Sequence, residues 1–444
     1  MISGEIRPSE AGDIQTVGLL GKARIALVFP GKHLLDGAGA AQVLELQNSW
    51  LKTNGFATDL VLIAPHLSWS IRKRKQRRES LMQAAKAMGF DDIRLVDIGW
   101  SDPKRWLAII KLVMTRLRGI WSIEDDLAIS DASCVKALSA SARDRYAGVI
   151  CNYVSGLSAA DSLVSRHRQL LVLHDWNAAA ETPRMIAILH QNRLRLALNE
   201  DEAARITAIA PKFPCHTGLP TLLDRYDNLN LHGTDESTEI NTESPSPHEE
   251  QNAPNTVGSP DPSITSSEID LLFVGSAHPP NCAGIAAFVR DCFIPYLSAR
   301  GVRLVIAGAA GPAAGLPAAP GLHVLGYVGD LRPLYAAAKL VIVPLLSGTG
   351  VSIKTLEAVA LEKPVLTTPV GIRGLGADVR PILQPPFDQA WADQILALLQ
   401  DPAAREEWRD CLRDSISGKT LDKALHDIME RLINSPQDSD ATGK

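Results

Sequence analysis

A chain of 444 residues, 45% apolar and 21% charged, has the material for two domains with sizeable cores and is no small stapled scaffold. Its net charge of −5 argues against a dedicated nucleic-acid binder. Cys134, Cys151, Cys215, Cys282, Cys292 and Cys411 lie scattered, without a C-x-x-C pair or clustered histidines, which speaks against a disulfide framework or a zinc site and fits a reducing cytoplasm.

Residues 1–22 are polar and lack the basic start and apolar core of a secretory signal, so they read as a loose tail. The run RIALVF over 24–29 is a buried, parallel-type strand. A glycine-bearing turn, Asp36-Gly37-Ala38-Gly39, follows it. Next come a helical pattern on Val43, Leu46, Gln47 and Trp50, stopped by Asn54-Gly55, and a strand over 58–63. This βαβ unit puts Gly37 and Gly39 at a strand's carboxyl end, where open α/β sheets bind ligands; the alternative is a tight turn without a ligand. A dinucleotide fingerprint would need a third glycine where Gln42 stands, which weakens a case for NAD.

The basic run Arg72-Lys73-Arg74-Lys75-Gln76-Arg77-Arg78 leads into a helix through Leu81, Ala84, Ala85 and Met88. It is either a solvated face or a contact for an anionic membrane leaflet or a pyrophosphate-linked acceptor. A strand over 146–151 brings Asn152 and Tyr153, and one over 169–173 brings His174, Asp175 and Trp176, to the same edge of the sheet. Polar residues directly after apolar runs are placed where a cleft would lie. After a short strand over 194–198, Asn199 caps a helix whose first turn carries Glu200, Asp201 and Glu202. The stretch 227–268 holds nine acids, no Lys or Arg and hardly any apolar residue, and reads as a disordered linker.

Beyond the linker, strands are expected over 271–274, 302–307 and 323–325, a helix over 283–297, and another helix capped by Asp330. The uncharged run 304–329 is long enough to span a membrane, but Pro312, Pro317 and Pro320 make it a strand, a loop and a strand. The chemistry concentrates in 338–375. An apolar strand over 340–344 runs into the turn Gly348-Thr349-Gly350, then a helix over 351–361 and a strand over 364–368. A helix that begins just past the glycines aims unsatisfied amides and its positive dipole end at the loop, the physical basis of an anion site. Lys354 in the first turn is unfavourable there unless an anion is bound, and Glu357, at the margin of the buried face, needs a partner that sugar hydroxyls would supply. The alternative pairs Lys354 with Glu357 on a solvated flank. Two amphipathic tail helices are expected over 390–399 and 405–432. The alternation of strands and helices gives an α/β chain of two doubly wound, Rossmann-like domains facing one cleft, 23–226 and 269–435, with a second tail over 436–444.

The run GTGVSIKTLEAVALEKPVLTTPVGIRGL, together with FVGSAHPPN over 273–281, LVIAG over 304–308 and HVLGYV over 323–328, resembles the donor-site signature of the retaining group 1 (family 4) glycosyltransferases, whose fold is GT-B. The resemblance covers roughly the last third of the chain well. It implies hexosyl transfer, with retention, from a nucleoside diphosphate to a glycan, lipid-linked or other acceptor. It also implies a role in polysaccharide biosynthesis, without metal or cofactor, in the cytoplasm or peripheral to the inner membrane face. Carried over residue by residue, it assigns Glu357 to the ribose and Lys354, Arg373 and the loop Gly348, Thr349 and Gly350 to the diphosphate. Ser276 and Asn281 fall in the donor loop, and Tyr327 and Val328 at the base. His174 would contact the transferred sugar, Asp175 would orient it or face the acceptor, and Gly37 and Gly39 would face the donor phosphate and acceptor. The family's last helix crosses back onto the first domain, and the same is expected here.

Two departures matter. Thr349 stands where many relatives carry a sugar-contacting glutamate, and Ser276 where many carry an arginine for the diphosphate. They keep open a catalytically degenerate sugar-nucleotide-binding or scaffold protein. A sugar-nucleotide epimerase of similar shape is a further alternative, which would need a pair of carboxylates in the cleft.

Overall fold

The computed structural model describes residues 23–35, 39–64, 71–97, 110, 114, 145–174, 176, 181–220, 269–348, 350–375, 383–416 and 419–434. The tails 1–22 and 436–444, the linker 227–268, and Gly37, Asp175 and Thr349 lie outside the described residues, as do the side chains of Arg72, Lys73 and Arg74. The described residues divide into two compact units. One takes in the chain to Ala197, Ala204–His216 and everything from Ala424; the other takes in Leu198–Ala203 and Thr217–Lys423.

The first unit is built on a seven-stranded sheet in the order β3-β2-β1-β4-β5-β6-β7. Its strands are β1 (Arg24–Pro30), β2 (Ala57–Ala64), β3 (Asp92–Asp97), β4 (Gly148–Asn152), β5 (Gln169–Leu173), β6 (Leu194–Ala197) and β7 (His216–Thr217). Pairing from β3 through β6 is parallel. Such a sheet is covered on both faces, which is why β1, β4 and β5 read as unbroken apolar runs; Ile25 to Phe29 are all fully buried. Helix α1 (Gly39–Thr53) buries Val43, Leu44, Leu46 and Leu51 and, on the same stripe, Gln47 and Asn48. Helix α2 (Ile71–Ala87) carries the basic run, with Lys75, Arg77 and Arg78 exposed. Helices α3 (Leu157–Leu163), α4 (Pro183–Leu189) and α5 (Glu200–Ile209) follow. Asn199 caps α5 as expected: its Oδ1 accepts the Glu202 N–H at 2.8 Å.

The second unit has a five-stranded, all-parallel sheet in the order β10-β9-β8-β11-β12. It comprises β8 (Ile269–Val274), β9 (Leu304–Ala307), β10 (Leu322–Gly326), β11 (Ala338–Val343) and β12 (Val365–Thr367). Between β8 and β9 runs α6 (Pro279–Phe288), continued through Val289–Leu297 in wider π-type turns that accommodate Pro295. Pro279–Arg300 is the one stretch among the described residues long and apolar enough to cross a membrane, and here Ile285, Phe288 and Phe293 sit in the core under the sheet. The run 304–329 contains β9 and β10, as its prolines suggested.

Helices α7 (Arg332–Ala337) and α8 (Ile353–Ala360) flank β11. Leu331, not Asp330, occupies the position before α7; Asp330 still accepts the Arg332 N–H at 3.0 Å and grips its guanidinium. The tail forms three helices, α9 (Gln389–Gln400), α10 (Pro402–Ile416) and α11 (Leu421–Ile433), not the two expected. The helix expected over 405–432 is broken because Leu219 takes over the backbone there: it donates to the Lys419 carbonyl and accepts from the Leu421 N–H, each at 2.7 Å. From Ala424 on, α11 belongs to the first unit, and Leu432 packs so close to Gly148 that a Cβ there would lie 2.2 Å from Leu432 Cδ2.

Candidate functional site

In both sheets the strand order reverses once, between β1 and β4 and between β8 and β11, and the carboxyl ends at such a switch point are where open sheets hold ligands. The first unit fills its switch point with rings. Tyr153, just past β4, stacks on His174, just past β5, with centroids 4.2 Å apart and planes within 6°. On its other side it stacks on His33 at 4.4 Å and 14°. Tyr153 takes a φ of 69°, left-handed backbone that strains a residue with a Cβ by about 1–3 kcal/mol. The two stacks hold it there, along with its N–H bond to the Val172 carbonyl at 3.0 Å. His174 Nε2 lies 2.8 Å from Asn152 Oδ1, and Asn152 forms a reciprocal amide pair with Gln47 from α1. Burial pushes His174 down to about 3, with His33 beyond Tyr153 adding to the shift. His174 is therefore neutral at physiological pH. Gly39 stands at the first position of α1, outside this cluster.

The second unit leaves its switch point to backbone. Gly348 and Gly350 have φ of 144° and 75°, conformations that only glycine takes freely. Arg373 donates to the Gly348 carbonyl at 2.7 Å, so it braces the loop. Ser352 precedes α8 and makes no side-chain bond to its first amides; its hydroxyl instead lies 3.1 Å from that of Thr355, whose own proton goes to the Gly371 carbonyl at 2.6 Å. Among the described residues the amino end of α8 is thus uncapped by side chains, three residues past Gly350.

Lys354 lies in that first turn. Burial holds its ammonium below the usual lysine range, with the Glu357 carboxylate pulling the other way. Among the described residues no carboxylate comes within the 4.0 Å of an ion pair with it. The reading in which Lys354 and Glu357 neutralise each other on a solvated flank is therefore replaced. Glu357 is buried, and its Oε2 accepts the Tyr335 hydroxyl at 3.0 Å. That partner, on α7 and 22 positions away, is one no local pattern announces.

Around the rim, Asn281 is buried and donates to the Ser276 carbonyl at 3.0 Å and to its hydroxyl at 3.3 Å, fixing the turn after β8. Ser276 is exposed. Tyr327, past β10, is 77% exposed, with Val328 half-buried beside it. Asn199 belongs with this unit: its Cβ faces Gly374, where an added Cβ would sit 2.6 Å from it and 3.1 Å from Val351 Cγ2. Asn199 Nδ2 is buried and has no hydrogen-bond partner among the described residues. The predicted donor residues Gly348, Gly350, Lys354, Glu357 and Arg373 thus come together, with Ser276 and Asn281 beside the neighbouring strand end. His174 stands in the first unit with Tyr153, His33, Asn152 and Gln47. Of these, His33 carried no sequence signal beyond its place three residues after β1, whereas Gln47 was visible as an amide on an otherwise apolar helix stripe.

Residues 268–401 match the family model described as glycosyl transferases group 1. Compared with the curated proteins, the sequence has no significant match. Among solved structures, the N-terminal domain of Candida albicans trehalose-6-phosphate phosphatase is similar with a TM-score of 0.57 at 11% identity, over 96% of this chain and 98% of that one. A TarM variant from S. aureus, crystallised with fondaparinux, α-GlcNAc-glycerol and UDP, has a TM-score of 0.55 at 10% identity, over 93% of this chain and 100% of that one. HepE from Anabaena, in complex with UDP-glucose, has a TM-score of 0.55 at 12% identity, over 92% and 99%. At such identities the likeness shows the fold, two parallel-sheet Rossmann-like domains of the GT-B kind. Residues 268–401 are therefore similar to the glycosyl transferases group 1 family, in a chain with the GT-B fold.

Proposed function

We propose that this chain transfers a hexose from a nucleoside diphosphate to a carbohydrate or lipid-linked acceptor, with retention of configuration and without a metal. The observation that carries the proposal is Lys354: a partly desolvated ammonium with no carboxylate within ion-pair distance among the described residues, in the first turn of a helix that begins three residues past Gly350. A diphosphate would supply the missing charge, accepting from the α8 amides as well. The same groups act where negative charge develops on the leaving diphosphate, which is the work a metal does elsewhere. Glu357, oriented by Tyr335, would hold the ribose, and Tyr327 and Val328 would flank the base. His174 would contact the sugar. UDP and UDP-glucose in the similar TarM and HepE structures support a nucleotide sugar as donor.

Calorimetry on the full chain with UDP- and GDP-sugars, followed by a product assay with the anomeric configuration read by NMR, tests the proposal. Binding of one donor class, loss of transfer in folded Lys354→Ala and Glu357→Ala, and full activity in EDTA are expected. No binding of any nucleotide sugar, or full activity in either variant, overturns it. We place the protein in the cytoplasm, with the exposed Lys75, Arg77 and Arg78 of α2 meeting an anionic membrane surface. Flotation with anionic vesicles that is unchanged on neutralising these three residues counts against that placement.

A further inference from the structure

We propose that the acidic stretch 235–250 of this chain docks on the amino-terminal half of α2 and covers its basic face until an anionic surface displaces it. No part of this depends on the transferase reading; it bears only on the membrane contact proposed with it. Helix α2 changes character at Leu81. Leu81 and Ala85 are fully buried, and a Cβ at Gly31 would lie 3.3 Å from Leu81 Cδ1. Before Leu81, residues 75–80 are exposed without a break. Six consecutive helical positions run through about 1.7 turns, so this half looks out on every side. It has little of its own to hold it. Helices in proteins are stabilised chiefly by an apolar face against a core, and Lys75-Gln76-Arg77-Arg78-Glu79-Ser80 contains no apolar residue. Positions 72–78 hold six cations, with no acid in the first turn, and so oppose the positive end of the helix dipole. Lys75 and Arg78 are three apart, a spacing at which like charges repel. Relief within the helix is slight: Lys75 Nζ lies 3.9 Å from Glu79 Oε1, both well exposed. Among the described residues, neither Arg77 nor Arg78 has a carboxylate within ion-pair distance. A polyanion would offset the dipole and the repulsion together.

The same chain supplies one. Residues 235–250 carry Asp235, Glu236, Glu239, Glu243, Glu249 and Glu250 and no Lys or Arg, six charges to set against six. Reach is no obstacle. Asp235 is 15 residues from Pro220 and Glu250 is 19 from Ile269, the described residues on either side. At about 3.4 Å per residue these spans extend to about 50 Å and about 65 Å. A compact unit of about 200 residues is about 40 Å across, so any point on its surface lies within that range. Tethering also makes the encounter intramolecular, at an effective concentration in the millimolar range. Exposed ion pairs that are weak singly can then act together. Such pairs are screened, with a Debye length of about 8 Å at physiological salt and about 3 Å at 1 M, so docking weakens as salt rises. An anionic leaflet would meet Lys75, Arg77 and Arg78 only by displacing these carboxylates.

Carbodiimide treatment of the full chain, which joins a lysine amine to a carboxylate in contact with it, tests the docking. In the monomeric product, mass spectrometry is expected to find Lys75 coupled to carboxylates of 235–250 at low salt, and to lose that product at about 1 M salt. Lys52 and Asp91, exposed and 3.2 Å apart, serve as the internal control. Coupling of that pair without any product between Lys75 and 235–250 overturns the proposal. So does a product that is as abundant at high salt, or no more abundant than one from Lys212, an exposed lysine nearer to the stretch along the chain. Hydrogen exchange gives a second readout, on the helix itself. With Asp235→Asn, Glu236→Gln, Glu239→Gln, Glu243→Gln, Glu249→Gln and Glu250→Gln combined, amides of 72–79 should exchange several-fold faster and those of 81–87 at the parent rate. Equal rates over 72–79 overturn the proposal, and added salt makes the same comparison without any substitution. On vesicles of phosphatidylcholine and phosphatidylserine, the amide variant should float more readily than the parent. Equal flotation of the two, lost in both on adding Arg77→Gln and Arg78→Gln, shows the face already open and overturns the proposal. If neither floats, the membrane placement falls, and cross-linking and exchange decide the docking.

Discussion

The two switch points are built on opposite plans. In the first unit, side chains complete the edge: three rings in a stack, an amide pair, and a histidine whose Nε2 is already bonded. In the second, the backbone is left bare by two glycines, and among the described residues a helix end has no side-chain cap and a lysine has no carboxylate within ion-pair distance. The difference fits the proposed function, in which charge arrives at the second. A pre-paired, neutral edge suits hydroxyls, whose recognition depends on geometry, whereas an under-neutralised edge suits an anion, whose binding relieves a standing cost.

The contrast breaks most visibly at Lys354. Replacing it with alanine is expected to lower kcat/KM by roughly 10²–10³-fold, the range seen when one donor to a developing charge is lost. Steady-state kinetics reads this, and a change below about tenfold would mean the anion is held elsewhere. Because burial depresses this lysine in the free protein, donor binding should take up protons at alkaline pH and Lys354→Met should not, as calorimetry in buffers of different ionisation enthalpy would show.

Gly374→Ala is expected to destabilise the second unit by about 1–3 kcal/mol, since its φ of 86° strains alanine and the new methyl meets Asn199. Gly301→Ala has a similar φ of 75° and no neighbour within 4 Å, so thermal melts should show a smaller loss, and equal losses would mean that the contact with Asn199 is soft.

Tyr335→Phe removes the hydrogen bond to Glu357, a bond to a charged group worth about 1.5 kcal/mol or more. The donor KM should rise about tenfold while kcat holds, because the proposed ribose contact would be made equally before and during transfer. The smallest effect at neutral pH comes from His174. Its folded value of about 3 lies below the ordinary 6.5, so the unfolded chain binds the extra proton and stability falls as pH drops through that window. In His174→Gln, denaturant titrations should show a shallower dependence by about one proton.

The architecture was legible because parallel strands covered on both faces announce themselves: RIALVF and QLLVL were read as strands, and β5 has the bounds expected, Gln169–Leu173. The glycine loop was legible for a similar reason, since few backbones other than ligand loops combine two close glycines with a following helix. The partners were not. Tyr335 reaches Glu357 and Gln47 reaches Asn152, 105 positions away, only through tertiary packing, and no periodicity encodes such meetings. The missed break before α11 has the same origin, because Leu219 competes for that backbone from across the fold. Local pattern reports what a segment buries, and distant pairing decides what its polar atoms touch.

The placement of Leu432 against Gly148 has a consequence for biogenesis. The half of the protein synthesised first is also the half completed last, because β4 waits uncovered at that spot until residues 421–433 have emerged from the ribosome. Throughout synthesis of everything in between, a nascent chain carries an unfinished apolar surface that a holding chaperone would recognise, and a stop codon shortly before Leu421 would leave it so for good.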